Sequence, residues 1–185
     1  TMNYAEIKTF DIANGEGVRV SLFVSGCTHR CPACFNSAAW DFAAGQPFTS
    51  EIEDAIISAC DSPFVHGLSL LGGEPMEPEN QPTLTAFVQR FRETLPEKTV
   101  WCWSGYTLEQ LLGRQPARCR TAGTDAFLSL LDVLVDGPFL LAQKDITLRF
   151  RGSANQRILD LPRSLADGVP VLWADDPLFR DRKSV

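Results

Sequence analysis

Four short apolar runs, spaced along the chain with helical patterns between them, restrict this sequence to an α/β architecture more than any other feature does. They are VRVSLFVS (Val18 to Ser25), GLSLL (Gly67 to Leu71), KTVWCW (Lys98 to Trp103) and LLDVLVD (Leu130 to Asp136). Short, nearly continuous apolar runs of this kind are expected of buried strands. Between the first two, Ser50 and Glu53 form a capping box ahead of Ile52, Ala55, Ile56, Ala59 and Cys60 on one helical face. Between the second and third, Asn80 offers a cap and Pro82 an early helical position, followed by Leu84, Phe87, Val88 and Phe91 at helical spacing. Thr107 and Gln110 make a further capping box at the start of a third, shorter helix.

Strand and helix in alternation give βα units and a mainly parallel sheet. With 185 residues the chain has the length of one domain, and it falls short of the ~250 residues typical of a complete (β/α)8 barrel. The expected fold is therefore α/β, as a partial (β/α) barrel or an open sheet. In either case ligands collect at the C-terminal ends of the strands, and the motifs that carry chemistry stand there.

Charge narrows the partners. A net charge of -6 leaves too little clustered Lys and Arg for phosphate-backbone binding, so nucleic acid is not an expected partner. No segment approaches the ~18 apolar residues of a membrane span, and the N-terminus lacks the pattern of a secretory signal. A cytoplasmic protein with no membrane partner is expected, with Thr1 ahead of Met2 read as a cloning remnant. Six cysteines in that setting point to metal binding or redox chemistry rather than disulfides. Cys60 and Cys102 fit core positions, and Cys119 lies in a basic turn-like stretch without an evident partner. Cys27, Cys31 and Cys34 are grouped within CTHRCPAC, directly after the first strand.

Three thiolates on one loop suit iron-sulfur chemistry or zinc. A structural zinc site is normally closed by four protein ligands, often as two close pairs, and here the spacing is C-x3-C-x2-C with no second pair nearby. His29 lies between two of the cysteines, where folding back to a shared metal needs a very tight loop, and it is read as packing or facing solvent. His66 precedes a strand as a turn residue. Nor is this the four-cysteine run of a bacterial ferredoxin. One metal position is left open, as where substrate binds. At the end of the second run comes Gly72-Gly73-Glu74-Pro75. Its glycines let backbone approach a ligand, Glu74 can pair with an ammonium group, and Pro75 fixes the exit direction. In isolation the same residues also make an ordinary glycine turn.

C-x3-C-x2-C resembles the signature of radical S-adenosylmethionine (SAM) enzymes. With NGEGVRVSLFVSGC, CPACFN, GQPF, GGEP, WSGY, VLVDGPF and RGSANQR, the chain from about Asn3 to Arg157 is similar to the activating proteins of anaerobic (class III) ribonucleoside-triphosphate reductase. That resemblance implies a partial barrel of radical SAM type and a [4Fe-4S] cluster on Cys27, Cys31 and Cys34. It also implies SAM on the fourth iron, beside Ala33, Cys34, Phe35, Gly72, Gly73 and Glu74. No side chain is implied as catalytic, the chemistry being carried by cluster and SAM. The substrate it implies is the glycyl-radical loop of the large reductase subunit, with flavodoxin or ferredoxin as electron donor and a homodimer as assembly.

The resemblance implies a radical SAM activase domain over residues 1–160 and a C-terminal extension of unassigned role over 161–185. For Phe35, simple loop packing is an equal reading. Arg19 reads as a surface residue beside a glycine turn, Asp136 as turn chemistry before glycine, and Trp101 and Trp103 as packing on one strand face. Ser104 and Arg151 follow strands that could reach the site, while Asn36 and the RGSANQR segment have no assigned role. Two other functions remain open: a radical SAM enzyme acting on a small molecule, as 7-carboxy-7-deazaguanine synthases do, and a non-enzymatic iron-sulfur or zinc protein.

Overall fold

The computed structural model describes residues 1–174, so the last eleven residues of the expected extension lie outside the described residues. The strands are β1 (Asn3–Asp11), β2 (Arg19–Val24), β3 (Gln46–Pro47), β4 (Gly67–Gly72), β5 (Thr99–Ser104), β6 (Val133–Asp136) and β7 (Arg157–Asp160). They form one sheet in the order β3-β1-β2-β4-β5-β6-β7. The four apolar runs of the sequence become β2, β4, β5 and β6, which pair in parallel. Antiparallel strands flank them, β1 and β3 on one side and β7 on the other. The sheet is therefore mixed, and parallel at its centre. β1 carries no continuous apolar run because most of its residues are exposed or only half-buried, which is why hydrophobic patterning does not reveal it.

Helices α1 (Ser50–Cys60), α2 (Gln81–Thr94), α3 (Leu108–Leu111), α4 (Thr124–Leu128) and α5 (Leu161–Asp167) all contribute to one apolar cluster. Across the sheet, Leu22, Leu70, Cys102, Leu134 and Leu159 stand in register, and all five belong to that cluster. Cys60 and Cys119 are buried in it as well, Cys119 from within the turn at residues 118–119. The neighbouring register, Ser21, Ser69, Trp101 and Val133, is more polar and aromatic. Successive side chains of a strand face opposite ways, so this set lies on the opposite face, where Trp101, Val133, Val135, Phe150 and Ile158 form a second cluster. Trp101 and Trp103 stack with centroids 5.7 Å apart, as their spacing indicates.

The N-cap of α1 is Thr49, whose hydroxyl accepts from the Ile52 amide at 3.4 Å, and Ser50 is the first helical residue. Asn80 precedes α2 but makes no side-chain cap; its amide donates to the carbonyls of Ser25 and Glu74 at 3.0 Å each, tying two strand ends together. The Thr107–Gln110 capping box is present. β6 begins at Val133 rather than Leu130, because the Asp132 carboxylate accepts from the Val100 amide and pairs with Arg92.

Arg19 is fully buried (0% exposed), not a surface residue. Its Nε donates to Ser69 Oγ, while its Nη atoms donate to Glu16, Leu68 and Thr99 at 2.9–3.0 Å. Gly67 makes the room: a Cβ there would stand 2.7 Å from Arg19 Nη2 and 2.0 Å from the Thr99 carbonyl. The described part of the extension is packed against the sheet. Leu161 is buried in the main cluster, Leu172 bridges to Leu159, and Trp173 meets Trp101 edge-on at 4.9 Å. Among the described residues no helix is long and apolar enough to cross a membrane.

Candidate active site

A cavity of about 360 Å³ opens beside the C-terminal ends of the parallel strands and is lined by Cys27, Cys31 and Cys34 from the loop after β2. Gly72, Gly73 and Glu74 from the end of β4, Trp103 and Ser104 from β5 and Gly137 after β6 complete the strand-end side. Two segments separated in the chain thus meet because both follow parallel strands. The wall facing them, Phe139, Leu148, Phe150, Arg151 and Gln156, comes from the connection between β6 and β7.

The cysteine loop is closed at its base by Gly26 N–H to the Ala39 carbonyl (2.7 Å) and Cys27 N–H to the Trp40 carbonyl (3.0 Å). Between the cysteines the backbone is forced into left-handed conformations at two non-glycine residues, Arg30 (φ 50°) and Ala33 (φ 58°), a departure that concentrates at functional sites. Ala33 is exposed and does not line the cavity, although its neighbour Cys34 does. Phe35 lines the mouth while remaining 67% exposed, against Phe139 at 5.4 Å and under the Lys144 ammonium at 5.2 Å.

Burial pushes the Cys27 thiol up to about 12, with the charges of Glu74 and Glu77 adding to the effect and the His29 and Arg30 amides opposing it. Burial likewise raises Cys31, against a hydrogen bond from the Phe139 backbone. Both thiols are thus proton-bearing until a metal displaces the proton. Burial works against a charged His29, but its hydrogen bond to Glu74 and the charges of Glu74 and Glu77 outweigh that, raising its pKa above the ordinary value.

Glu74 is 1% exposed, and its carboxylate is occupied by protein donors. Oε1 takes the Gly105 amide at 2.7 Å and pairs with His29 Nε2 at 2.8 Å; Oε2 takes the Met76 amide at 2.8 Å and Ser104 Oγ at 2.9 Å. A carboxylate offers about four acceptor positions, and these four contacts use them. Instead of standing open for an ammonium group, Glu74 binds the ends of β4 and β5 and the cysteine loop to one another. His29 faces this carboxylate rather than solvent. Gly73 lines the cavity and has a packing role besides, since a Cβ there would stand 2.7 Å from the Gly26 carbonyl and 3.0 Å from that of Ala39. Its bareness lets the base of the cysteine loop close against β4.

Asp136 is buried, accepting from the Leu108 amide at 2.7 Å and pairing with Arg157, so it anchors the start of α3 and is not simply a turn residue. The RGSANQR segment acquires a role as a wall brace. Gln156 Oε1 accepts from the Gly152 and Ser153 amides, Gln156 Nε2 donates to the Gly137 carbonyl, and Asn155 donates to Pro138. Asn36 lines the cavity, and its amide donates to Cys34 Sγ at 3.4 Å. His66 accepts from the Val18 amide at 3.1 Å, remote from the cavity lining. Trp40, Phe139, Leu148 and Phe150 also line the cavity without a sequence pattern that marks them, except that Phe139 follows a strand end in VDGPF.

Among the described residues no three His, Cys, Asp or Glu side chains converge closely enough for a single metal ion. The three thiols instead border a common cavity, an arrangement suited to a polynuclear cluster in which each thiolate takes a different iron. The buried Trp40 Nε1, on the same lining, has no protein acceptor and supplies a donor of the kind that tunes cluster sulfurs. The residues therefore fit a soft-metal cluster with a small polar ligand beside it.

Comparison with known proteins agrees with this geometry. The profile of a family described as "4Fe-4S single cluster domain" matches residues 13–159. The anaerobic ribonucleoside-triphosphate reductase-activating protein of Escherichia coli (strain K12) is 43% identical over 157 residues, covering 84% of this chain and 96% of the relative. The protein of the same name from Vibrio cholerae is 43% identical over 159 residues, 85% of this chain and 97% of the relative. That of Enterobacteria phage T4 is 34% identical over 177 residues, 95% and 100% respectively.

Proposed function

The chain belongs to the family of anaerobic ribonucleoside-triphosphate reductase-activating proteins, and from that premise we propose that it is a radical SAM activase that installs a glycyl radical on the large subunit of that reductase. The observation that carries the reading is the meeting of Cys27, Cys31 and Cys34 with Gly72 and Gly73 around one cavity at the parallel strand ends. In this reading the sheet is a partial barrel of radical SAM type, residues 1–160 form the activase domain, and residues 161–185 are an appended extension.

Cys27, Cys31 and Cys34 would hold a [4Fe-4S] cluster, and SAM would lie against Cys34, Phe35 and the backbone of Gly72 and Gly73. The chemistry such a pair would supply is one-electron reductive cleavage of the SAM sulfonium, with methionine leaving and a hydrogen atom taken from a glycine of the reductase. The protein's own part is position and dryness. Glu74 keeps His29, Ser104 and Gly105 fixed around the strand ends, and Trp103, Phe139, Leu148 and Phe150 give the cavity an apolar wall that limits water. Flavodoxin or ferredoxin would deliver the electron, and a homodimer is the assembly proposed, in the cytoplasm.

Anaerobic reconstitution with iron and sulfide, followed by reduction and addition of SAM, tests the chemistry. The expected product is 5′-deoxyadenosine, dependent on the cluster. A cluster-loaded, reducible preparation that leaves SAM intact would overturn the proposal and favour a non-enzymatic iron-sulfur protein.

A further inference from the structure

Glu77 lies three residues beyond Glu74, in the connection from β4 to α2, and is 0% exposed. A buried carboxylate is tolerated only when paired and hydrogen-bonded, and three separate segments converge on this one. The Thr28 amide donates to Oε2 at 2.8 Å, the Tyr106 hydroxyl donates to Oε1, and Arg118 Nη1 lies 3.1 Å from Oε1. Arg118 is itself held by Glu79 at 2.7 Å, and the Tyr106 ring packs on His29 with centroids 4.3 Å apart.

The consequence is uneven support within the cysteine loop. Cys27, Thr28 and His29 are each tied to a different part of the protein, through Trp40, Glu77 and Glu74. Residues 30–34 are tied outward more weakly, by the Arg30 guanidinium over the Trp40 ring at 5.5 Å and by the Phe139 backbone on the Cys31 thiol, and inward by Cys34 N–H to the Cys31 carbonyl at 3.1 Å, with Pro32 and Ala33 exposed. We propose that Glu77, held between Arg118 and Tyr106, is a positioning residue that pre-organises the Cys27 arm of the loop through the Thr28 amide, leaving the Cys31–Cys34 arm to close on the metal. The proposal rests on the reading that these cysteines hold a cluster.

The test uses full-length, cluster-free protein, wild type and Glu77→Gln, Glu77→Leu and Arg118→Gln, with amide exchange followed by NMR and iron bound per chain measured after anaerobic reconstitution. A charge-assisted hydrogen bond is lost in Glu77→Leu, so the Thr28 amide should exchange about tenfold faster or more. Glu77→Gln, which keeps an acceptor, should restore most of the protection. Amides in β4 and β5 should be unchanged, and iron uptake should fall in the same order as Thr28 protection. Should Glu77→Leu not fold, Arg118→Gln and Tyr106→Phe carry the comparison, each with a partial loss at Thr28. Unchanged Thr28 exchange in folded variants overturns the proposal, as does uniform loss of protection across the sheet with Gln and Leu alike. Failure of wild-type protein to bind iron would instead overturn the cluster reading, and the exchange measurement would still decide the role of Glu77.

Discussion

At the scale of residues, position in the fold separates the six cysteines into two groups. Cys27, Cys31 and Cys34 border the cavity, whereas Cys60, Cys102 and Cys119 are buried in the main core. Replacing any one of the first three by alanine should abolish cluster assembly, read as loss of iron and of the visible absorption band. Cys60→Ala should keep the cluster and cost about 1 kcal/mol of stability from a small cavity; equal loss of iron at Cys60 would contradict the assignment. Asp11 supplies a pH-dependent counterpart. Burial works against its carboxylate, but hydrogen bonds from Ser21, Asn14 and Ala13 and the charge of Lys8 outweigh that and hold its pKa below the ordinary aspartate value. Its contribution is present above the unfolded value and lost as pH falls through the lowered folded one. Asp11→Asn should therefore flatten the fall of the urea midpoint as pH drops through the ordinary aspartate range and below it, and an unaltered acid limb would count against it.

The scale of elements is where sequence and structure agree most, and where the reasons for disagreement are visible. The strands buried on both faces announce themselves as apolar runs, and α3 does so through a local capping pattern that needs only neighbouring residues. β1 and β7 escape because their pairing is set by β2 and β6 rather than by their own hydrophobicity. The same division holds in the site. The grouping of the three cysteines after β2 and of the GGEP turn after β4 is legible because each directly follows an apolar run that becomes a parallel strand. The burial of Arg19 and the saturation of Glu74 are not, because they depend on partners 30 to 80 residues away. Gly73 joins the two levels. Gly73→Ala would drive a Cβ into the backbone carbonyls of Gly26 and Ala39, which cannot swing aside as side chains do. We expect a loss of about 1–3 kcal/mol in urea unfolding together with reduced iron uptake; full iron binding at wild-type stability would show that the junction is not tight.

For the molecule as a whole, the sheet works asymmetrically. All five helices share one apolar cluster with one face, and the other face carries an aromatic cluster and, at its strand ends, a cavity walled by a long connection. The helix side holds the strands in register, and the strand ends bring the three cysteines and the glycines after β4 around a common space, with Glu74 as the junction between them. Trp173 packs on the same aromatic cluster, so truncation at residue 160 should lower thermal stability. Unchanged unfolding temperature in that truncation would show that the described part of the extension contributes nothing. The function proposed above has the cavity direct hydrogen abstraction onto a glycine of the reductase. Electron paramagnetic resonance decides it most directly, using cluster-loaded protein, reductant, SAM and the large subunit of an anaerobic ribonucleoside-triphosphate reductase under strict anaerobiosis. The expected result is a glycyl-radical doublet on the reductase, formed together with 5′-deoxyadenosine and absent in the Cys31→Ala protein. SAM cleavage that proceeds at full rate without that signal would contradict it.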